Sequence, residues 1–153
     1  MSDIQVAEQS LQDEVNLIVE EGRMVLPGIQ ALFGFQLIAV FSDKFSRSLP
    51  PPAQYLHLVA TALVTLAIAL IMAPAAYHRQ AERDRLSRYF ARYASLLITI
   101  ALAPLLIAIC LEIGLVAYAI LGSLRASAMW TASLALTYVL LWYVFPQIKR
   151  RRT

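Results

Sequence analysis

The fold of this chain is decided by the stretch LHLVATALVTLAIALIMAPAAYHR, residues 56–79. It carries no charged residue from Leu58 to Tyr77, and it ends in His78 and Arg79. A transmembrane helix needs about 20 apolar residues to cross a hydrocarbon core of about 30 Å. The stretch therefore predicts a membrane-spanning helix with a basic exit, and we expect the whole chain to be a membrane protein.

The rest of the sequence alternates similar apolar runs with short charged blocks. Of its 153 residues, 59% are hydrophobic and 15% are charged, whereas soluble domains average about 25% charged residues. This pattern predicts an all-α fold, a four-transmembrane-helix bundle in one domain at residues 24–148. The spans are predicted at about residues 24–42, 56–77, 93–121 and 127–145, followed by a basic cytoplasmic tail at residues 149–153.

Residues 1–23 differ from these spans because they are polar and acidic. Apolar residues recur in this region at helical spacing, which predicts an N-terminal cytoplasmic amphipathic helix. Pro27 and Gly28 are expected to break or kink the chain before the first span. The recurring apolar residues are Ile4, Leu11, Val15, Ile18 and Val25.

Prolines are expected to end helices elsewhere in the chain as well. Three consecutive prolines at residues 50–52 predict an extended loop over residues 43–54, and Pro146 is expected to end the fourth span. The third apolar run, residues 93–121, is longer than one span requires. We expect it either to tilt and project from the membrane or to become interfacial after Gly114.

The distribution of lysine and arginine predicts the orientation of the chain. Segments 1–23, 78–92 and 146–153 fall on one side of a four-span chain and hold ten of the 13 basic residues. Because cytoplasmic loops carry an excess of basic residues, both termini are predicted to be cytoplasmic. The acidic segment 1–23 and the basic segment 78–92 then share one side, and we expect them to dock through charge.

The net charge of +3 does not indicate a nucleic-acid partner, because the basic residues lie beside membrane spans. The expected partners are the lipid bilayer, anionic lipid headgroups, and either further copies of this chain or the other subunits of a membrane complex. The arginines expected to meet headgroups are Arg79, Arg83, Arg85, Arg88 and Arg92.

Four polar residues in the predicted spans, Glu112, Gln30, Gln36 and His57, form the candidate intramembrane site. An ionisable group inside a span is costly and by default indicates a function, so Glu112 is a candidate for cation binding or proton relay. The alternative is an interfacial Glu112 that is solvated or paired with Arg125. The two glutamines are expected to face other helices, because an amide in hydrocarbon needs a partner.

The second span also carries a stripe of small and polar residues at i, i+4 spacing. Small side chains at this spacing let helices approach closely in a membrane, so the stripe predicts the packing face of the span. Its members are His57, Thr61, Thr65, Ala69 and Ala73.

No motif for catalysis or cofactor binding occurs in the sequence. It lacks Gly-x-Ser-x-Gly, His-Glu-x-x-His, a phosphate loop and a dinucleotide fingerprint, so we do not expect an enzyme. His57 and His78 fall on one helix about 31 Å apart, too far to ligate one haem together. No metal or cofactor is expected, and Cys110 is expected to be a small apolar residue.

The stretches LPGIQALFGFQLIAVFS at residues 26–42 and APAAYHR at residues 73–79 resemble those of a family of small bacterial membrane proteins whose domain is classed as of unknown function. The resemblance implies a four-helix inner-membrane protein and supplies no activity. It also points to a candidate cytoplasmic motif, which is either a structural joint between kinked helices or a functional site. The motif comprises Pro27, Gly28, Pro74, Tyr77, His78 and Arg79.

The leading interpretation of the sequence is a membrane protein without catalysis, an oligomeric or accessory membrane component. The alternative is an ion- or proton-conducting channel or small transporter, with polar lining from Glu112, Gln30 and Gln36.

Overall fold

A computed structural model describes residues 3–81 and 87–150, with side chains placed for all of these except residues 3–8, Lys44, Ser46 and Ser48. The described chain is helical and contains no strand. The expected headgroup contacts Arg83 and Arg85, and tail residues 151–153, lie outside the described residues. The helices are α1 (Asp3–Val40), α2 (Asp43–Ser48), α3 (Pro51–Ala81), α4 (Arg88–Leu121), α5 (Leu124–Val139) and α6 (Phe145–Arg150), with a π-helical turn, Leu140–Val144, before α6.

The predicted all-α class with four long apolar helices is confirmed. Within the described chain, four helical segments are long and apolar enough to cross a membrane. The last of them runs through α5, the π turn and α6 without interruption. The four segments are Gln9–Val40, Pro51–Ala81, Arg88–Leu121 and Leu124–Arg150.

Helices α1, α3 and α4 enclose the core, and α3 packs most closely on α4. The contact is built from alanines and valine that are fully buried, including Ala60, Val64 and Ala67 of α3 and Ala101 and Ala108 of α4. Small side chains allow the two backbones to approach closely. Such close packing holds helices together in a bilayer, where the hydrophobic effect does not drive them together.

The packing face of α3 follows a different spacing from the predicted stripe. Thr65 and Ala69 are exposed, so that part of the prediction is wrong. A helix turns about 100° per residue, so a strict four-residue step drifts about 40° each time and leaves the core face after two steps. Alternating steps of four and three residues keep one face inward. The buried residues follow this alternation: Ala53, His57, Ala60, Val64, Ala67, Ile71 and Pro74.

The prolines interrupt the helices less than the sequence indicated. Helix α1 continues through Pro27 and Gly28, so the amphipathic segment and the first span form one helix. Helix α4 likewise continues past Gly114 to Leu121, which makes residues 93–121 part of a single long helix. Neighbouring helices sustain a proline-containing helix in a membrane protein by packing against it.

The predicted extended loop at residues 43–54 is also wrong. Residues 43–48 form α2, and α3 already begins at Pro51. Proline suits the first turn of a helix because the N–H that it lacks would have no partner there. The carbonyl of Pro50 accepts the first bonds of α3, from the N–H groups of Ala53 and Gln54.

Pro146 does not end the last helix, which continues to Arg150. In the π turn before it, the Phe145 N–H donates to the carbonyl of Leu140, a step of five residues. This shift in the bonding pattern is a π-bulge, an irregularity that helices tolerate. It brings the helix to Pro146 without a break.

The first half of α1 packs against the start of α4 through an apolar cluster. Val15 is buried with Phe90, Ala91 and Ala94. The side chain of Ser87 caps α4 by accepting from the Phe90 N–H at 3.0 Å. We call this end of the bundle, where Arg23, Arg79, Arg88 and Arg92 also lie, the basic end.

Helix α5 packs on α4 at one close approach. The Ser127 hydroxyl donates to the carbonyl of Gly114 at 2.6 Å. A Cβ added at Gly114 would lie 2.9 Å from the Thr131 hydroxyl oxygen, so the glycine allows this contact. Ser127 is the only buried residue of α5, which leaves most of its apolar surface exposed in the protomer.

Candidate functional site

Three of the four predicted intramembrane polar residues meet at one point. The amide Nε2 of Gln36 on α1 donates to Oε1 of Glu112 on α4 at 2.9 Å. Nδ1 of His57 on α3 lies 3.0 Å from Oε1 and 3.2 Å from Oε2 of the same carboxyl group. Nε2 of His57 lies 3.1 Å from the backbone carbonyl oxygen of Gln36. The cluster therefore ties α1, α3 and α4 together, and we call this end of the bundle the ion-pair end.

The cluster is shielded by the helices that form it. The side chains of His57 and Glu112 are 6% and 15% exposed, and Gln36 is 3% exposed. Phe45 of α2 covers the histidine edge-on, with the ring centroids 4.9 Å apart. Shielding from water strengthens each polar contact and also raises the cost of leaving any of them unmade.

The hydrogen bonds fix how many protons the pair holds. A carbonyl oxygen can only accept, so Nε2 of His57 must carry a proton to bond with Gln36. One further proton lies between Nδ1 and the Glu112 carboxyl group, on one side or the other. The pair is then neutral overall, either as imidazolium with carboxylate or as imidazole with carboxylic acid. This neutrality lets two ionisable groups remain among apolar helices.

A cavity of about 390 Å³ reaches the histidine from the ion-pair end. It is lined by Phe45, Tyr55, His57 and Thr61 among others. The Thr61 hydroxyl itself donates to the carbonyl of His57 at 2.9 Å, within α3. His57 thus forms part of the wall of this cavity.

Gln30 does not join the cluster. It lies six residues before Gln36 on α1, about 120° around that helix, and is exposed. The alternative pairing of Glu112 with Arg125 is also not formed, because Glu112 bonds to His57 and Gln36, whereas Arg125 is exposed. The three members of the cluster were predicted from the sequence without their pairing, and Phe45 was not predicted.

Comparison with known families gives a match over nearly the whole chain. The model of a family of unknown function, DUF6328, matches residues 5–146. The chain belongs to this family. No curated protein and no solved structure matches it. The resemblance seen in the sequence is thereby confirmed, and the DUF6328 region contains both the ion-pair cluster and the motif at the basic end.

The structure brings together only part of the candidate cytoplasmic motif. Pro74 is buried, while Pro27, Gly28 and Arg79 are exposed. The side chain of Tyr77 packs on aromatic residues of α4, with its ring centroid 5.1 Å from Tyr93. Leu26, which precedes Pro27, borders the same cavity as Pro74 and His78.

His78, another member of that motif, is half-buried beside α4. Its ring centroid lies 5.3 Å from that of Phe90. Its Nδ1 is buried without a hydrogen-bond partner in the described chain. Buried polar atoms are usually bonded, so this nitrogen is an exception among the described residues.

The described residues include no group of three His, Cys, Asp or Glu side chains placed to hold a metal ion. Cys110 is buried and free. The cluster at the ion-pair end presents one carboxyl group and one imidazole, which can exchange a proton or hold helices together.

Proposed function

We propose that this DUF6328 protein is a non-catalytic integral membrane protein, an oligomeric or accessory membrane component whose helices are fastened by the cluster at the ion-pair end. The observation that carries the proposal is the set of bonds among Gln36, His57 and Glu112, one residue from each core helix. Removing one partner of a buried pair costs about 3–5 kcal/mol, so such a cluster strongly favours one helix arrangement.

The apolar core next to the cluster favours a role in holding the helices together over conduction of ions or protons through one protomer. Toward the basic end the helices enclose Val64, Ala67, Ile71, Ala101 and Leu105, all apolar and buried. An ion or proton would have to cross this layer without a polar partner, which is costly in a low-dielectric medium. Glu112 and Gln36 face this interior while Gln30 faces outward, so the three do not line one pore of the protomer.

Proton transfer remains a second candidate function, because the His57–Glu112 pair shares one proton and His57 borders a cavity. Two substitutions separate the candidates. In Glu112→Gln the new amide can donate to Nδ1 of a neutral His57 and accept from Gln36, so the fastening is kept while the ionisable group is lost. In Glu112→Ala both are lost.

The test measures proton flux in liposomes and thermal stability in mild detergent for the full chain. If the cluster holds the helices together, proton flux should be no greater than in empty liposomes. The Glu112→Gln variant should be close to wild type in stability, and the Glu112→Ala variant should be destabilised by about 3–5 kcal/mol. Flux in wild type that disappears in Glu112→Gln would instead establish proton transfer and overturn the leading proposal.

The location and assembly of the protein form part of the same proposal. The four apolar segments span the bacterial inner membrane with both termini cytoplasmic, and the basic end faces the cytoplasm. Support comes from Arg23, Arg79, Arg88 and Arg92, which gather at one end of the bundle. The exposed amide of Gln30 and the exposed apolar surface of α5 favour contact with another copy of the chain or another subunit.

A further inference from the structure

The cavity between α1, α3 and α4 at the basic end combines cationic and apolar walls. It has a volume of about 500 Å³ and is open to the outside of the bundle. Its walls include Arg23 of α1 and Arg79 of α3, with Leu26, Ile71 and Met72 beyond them. We propose that this cavity binds one anionic phospholipid, with the phosphate between the two arginines and an acyl chain along the apolar wall.

The charge of the cavity matches an anionic headgroup. Two arginines line it, and no aspartate or glutamate is found among its lining residues in the described chain. Arginine presents a fork of N–H donors that suits phosphate oxygens. His78 lines the same cavity and adds an imidazole ring to its walls.

The depth of these residues matches the profile of a lipid molecule. Arg79 follows the uncharged run of α3, whereas Met72 and Ile71 lie seven and eight residues earlier. At 1.5 Å per residue, this places the apolar wall about 11 Å deeper than the arginine along the helix. Headgroups occupy the zone just outside the hydrocarbon core, so a phosphate at Arg79 puts acyl carbons beside Met72.

The other basic residues of this end provide a matched control. Arg88 and Arg92 border a separate cavity with Glu14, at the start of α4. Arg23→Gln with Arg79→Gln removes two charges inside the proposed site. Arg88→Gln with Arg92→Gln removes the same charge outside it.

The experiment titrates the full chain in neutral detergent with phosphatidylglycerol and counts bound lipid by native mass spectrometry. Each basic residue near an anionic lipid surface contributes about 1 kcal/mol. Two such residues predict an affinity about thirty-fold lower in the Arg23/Arg79 double variant, from about 2 kcal/mol at 1.4 kcal/mol per tenfold. The Arg88/Arg92 double variant is expected to lose less than about three-fold. Phosphatidylcholine should bind much more weakly to wild type, and glycerol phosphate should not compete.

Three results would overturn the proposal. Equal losses in the two double variants would show a diffuse basic surface, and equal binding of phosphatidylcholine would show that the arginines do not read the headgroup. Competition by glycerol phosphate at the lipid's own concentration would show an anion site without an acyl component. The thermal stability of each variant without lipid provides the check on folding, and exposed arginines are expected to leave it unchanged.

Discussion

Nδ1 of His57 lies 3.0 Å from Oε1 of Glu112, although 55 residues separate them along the chain. The contact joins α3 to α4, and Gln36 extends it to α1. A carboxyl group that the sequence predicts as a candidate conduction site is thus held in a neutral, shielded cluster. Fastening of helices is the role that this arrangement favours.

Gln36 is predicted to contribute to stability through its bond to Glu112. Gln36→Leu should lower the free energy of unfolding by about 1–2 kcal/mol, because hydrogen bonds between membrane helices reach about 1.7 kcal/mol and this one meets a charged or charge-sharing group. The control is Gln30→Leu, the same change on an exposed face of the same helix, with an expected effect below about 0.5 kcal/mol. Unfolding in detergent mixtures measures both, and equal effects would contradict the role given to Gln36.

Gly114 is predicted to be required for the contact between α4 and α5. In Gly114→Ala the new methyl group would lie 2.9 Å from the Thr131 hydroxyl oxygen, and such overpacking costs about 1–3 kcal/mol. Gly34→Ala is the control, since nothing lies within 4 Å of a Cβ added there. That change should be neutral or stabilise the protein by up to about 1 kcal/mol, because alanine favours helix.

Thr131→Ala should restore the stability of the Gly114→Ala variant by removing the atom that it meets. Thermal unfolding followed by tryptophan fluorescence reports on this region through Trp130 and Trp142. A Gly114→Ala variant as stable as Gly34→Ala would show that the helices do not approach closely at this point.

The first half of α1 is predicted to dock on α4 through apolar contact. Val15 is 5% exposed, whereas Leu17, two residues away, is 67% exposed. Val15→Asn should therefore make the first 20 residues or so more sensitive to limited proteolysis, and Leu17→Asn should not. The charge-based docking expected from the sequence predicts instead that sensitivity rises with salt in the wild-type protein. Salt-sensitive cleavage with no effect of Val15→Asn would favour charge over packing.

The orientation of the chain is testable with single cysteines. Cys110 is buried, so the wild-type protein is a suitable background. Gln80→Cys at the basic end and Arg47→Cys at the ion-pair end replace exposed residues. Position 80 is chosen so that Ser87, which caps α4, is not changed. In intact cells an impermeant thiol reagent should label position 47 and spare position 80. The reverse pattern would invert the proposed topology.

Much of the fold follows from the sequence because apolar length sets membrane helices directly. The uncharged residues 58–77 lie within α3, and Arg23, Arg79, Arg88 and Arg92 gather at one end of the bundle. The helix ends were harder to predict. Proline usually stops a helix. Here the first turn of α3 accommodates the prolines at residues 51 and 52, and a π turn precedes Pro146.

Three members of the cluster, Gln36, His57 and Glu112, were predicted from the sequence, but their pairing was not. His57 and Glu112 lie equally far along the chain from residues 84 and 85, the middle of the connection between α3 and α4. Antiparallel helices of equal rise place such residues at the same level. The sequence alone therefore allows this pairing to be predicted. It does not predict the rotation of each helix, which turns Gln36 inward and Gln30 outward, because that rotation depends on packing among helices.

The central claim is most directly tested by a double-mutant cycle on His57 and Glu112, with His57→Ala, Glu112→Ala and the double variant unfolded in mixed micelles. The pair is predicted to show a coupling free energy of at least about 2 kcal/mol, because each single variant leaves a buried, ionisable partner uncompensated. Neutral hydrogen bonds between membrane helices average about 0.6 kcal/mol. A coupling of about 0.5 kcal/mol or less would contradict the claim that this pair fastens the bundle.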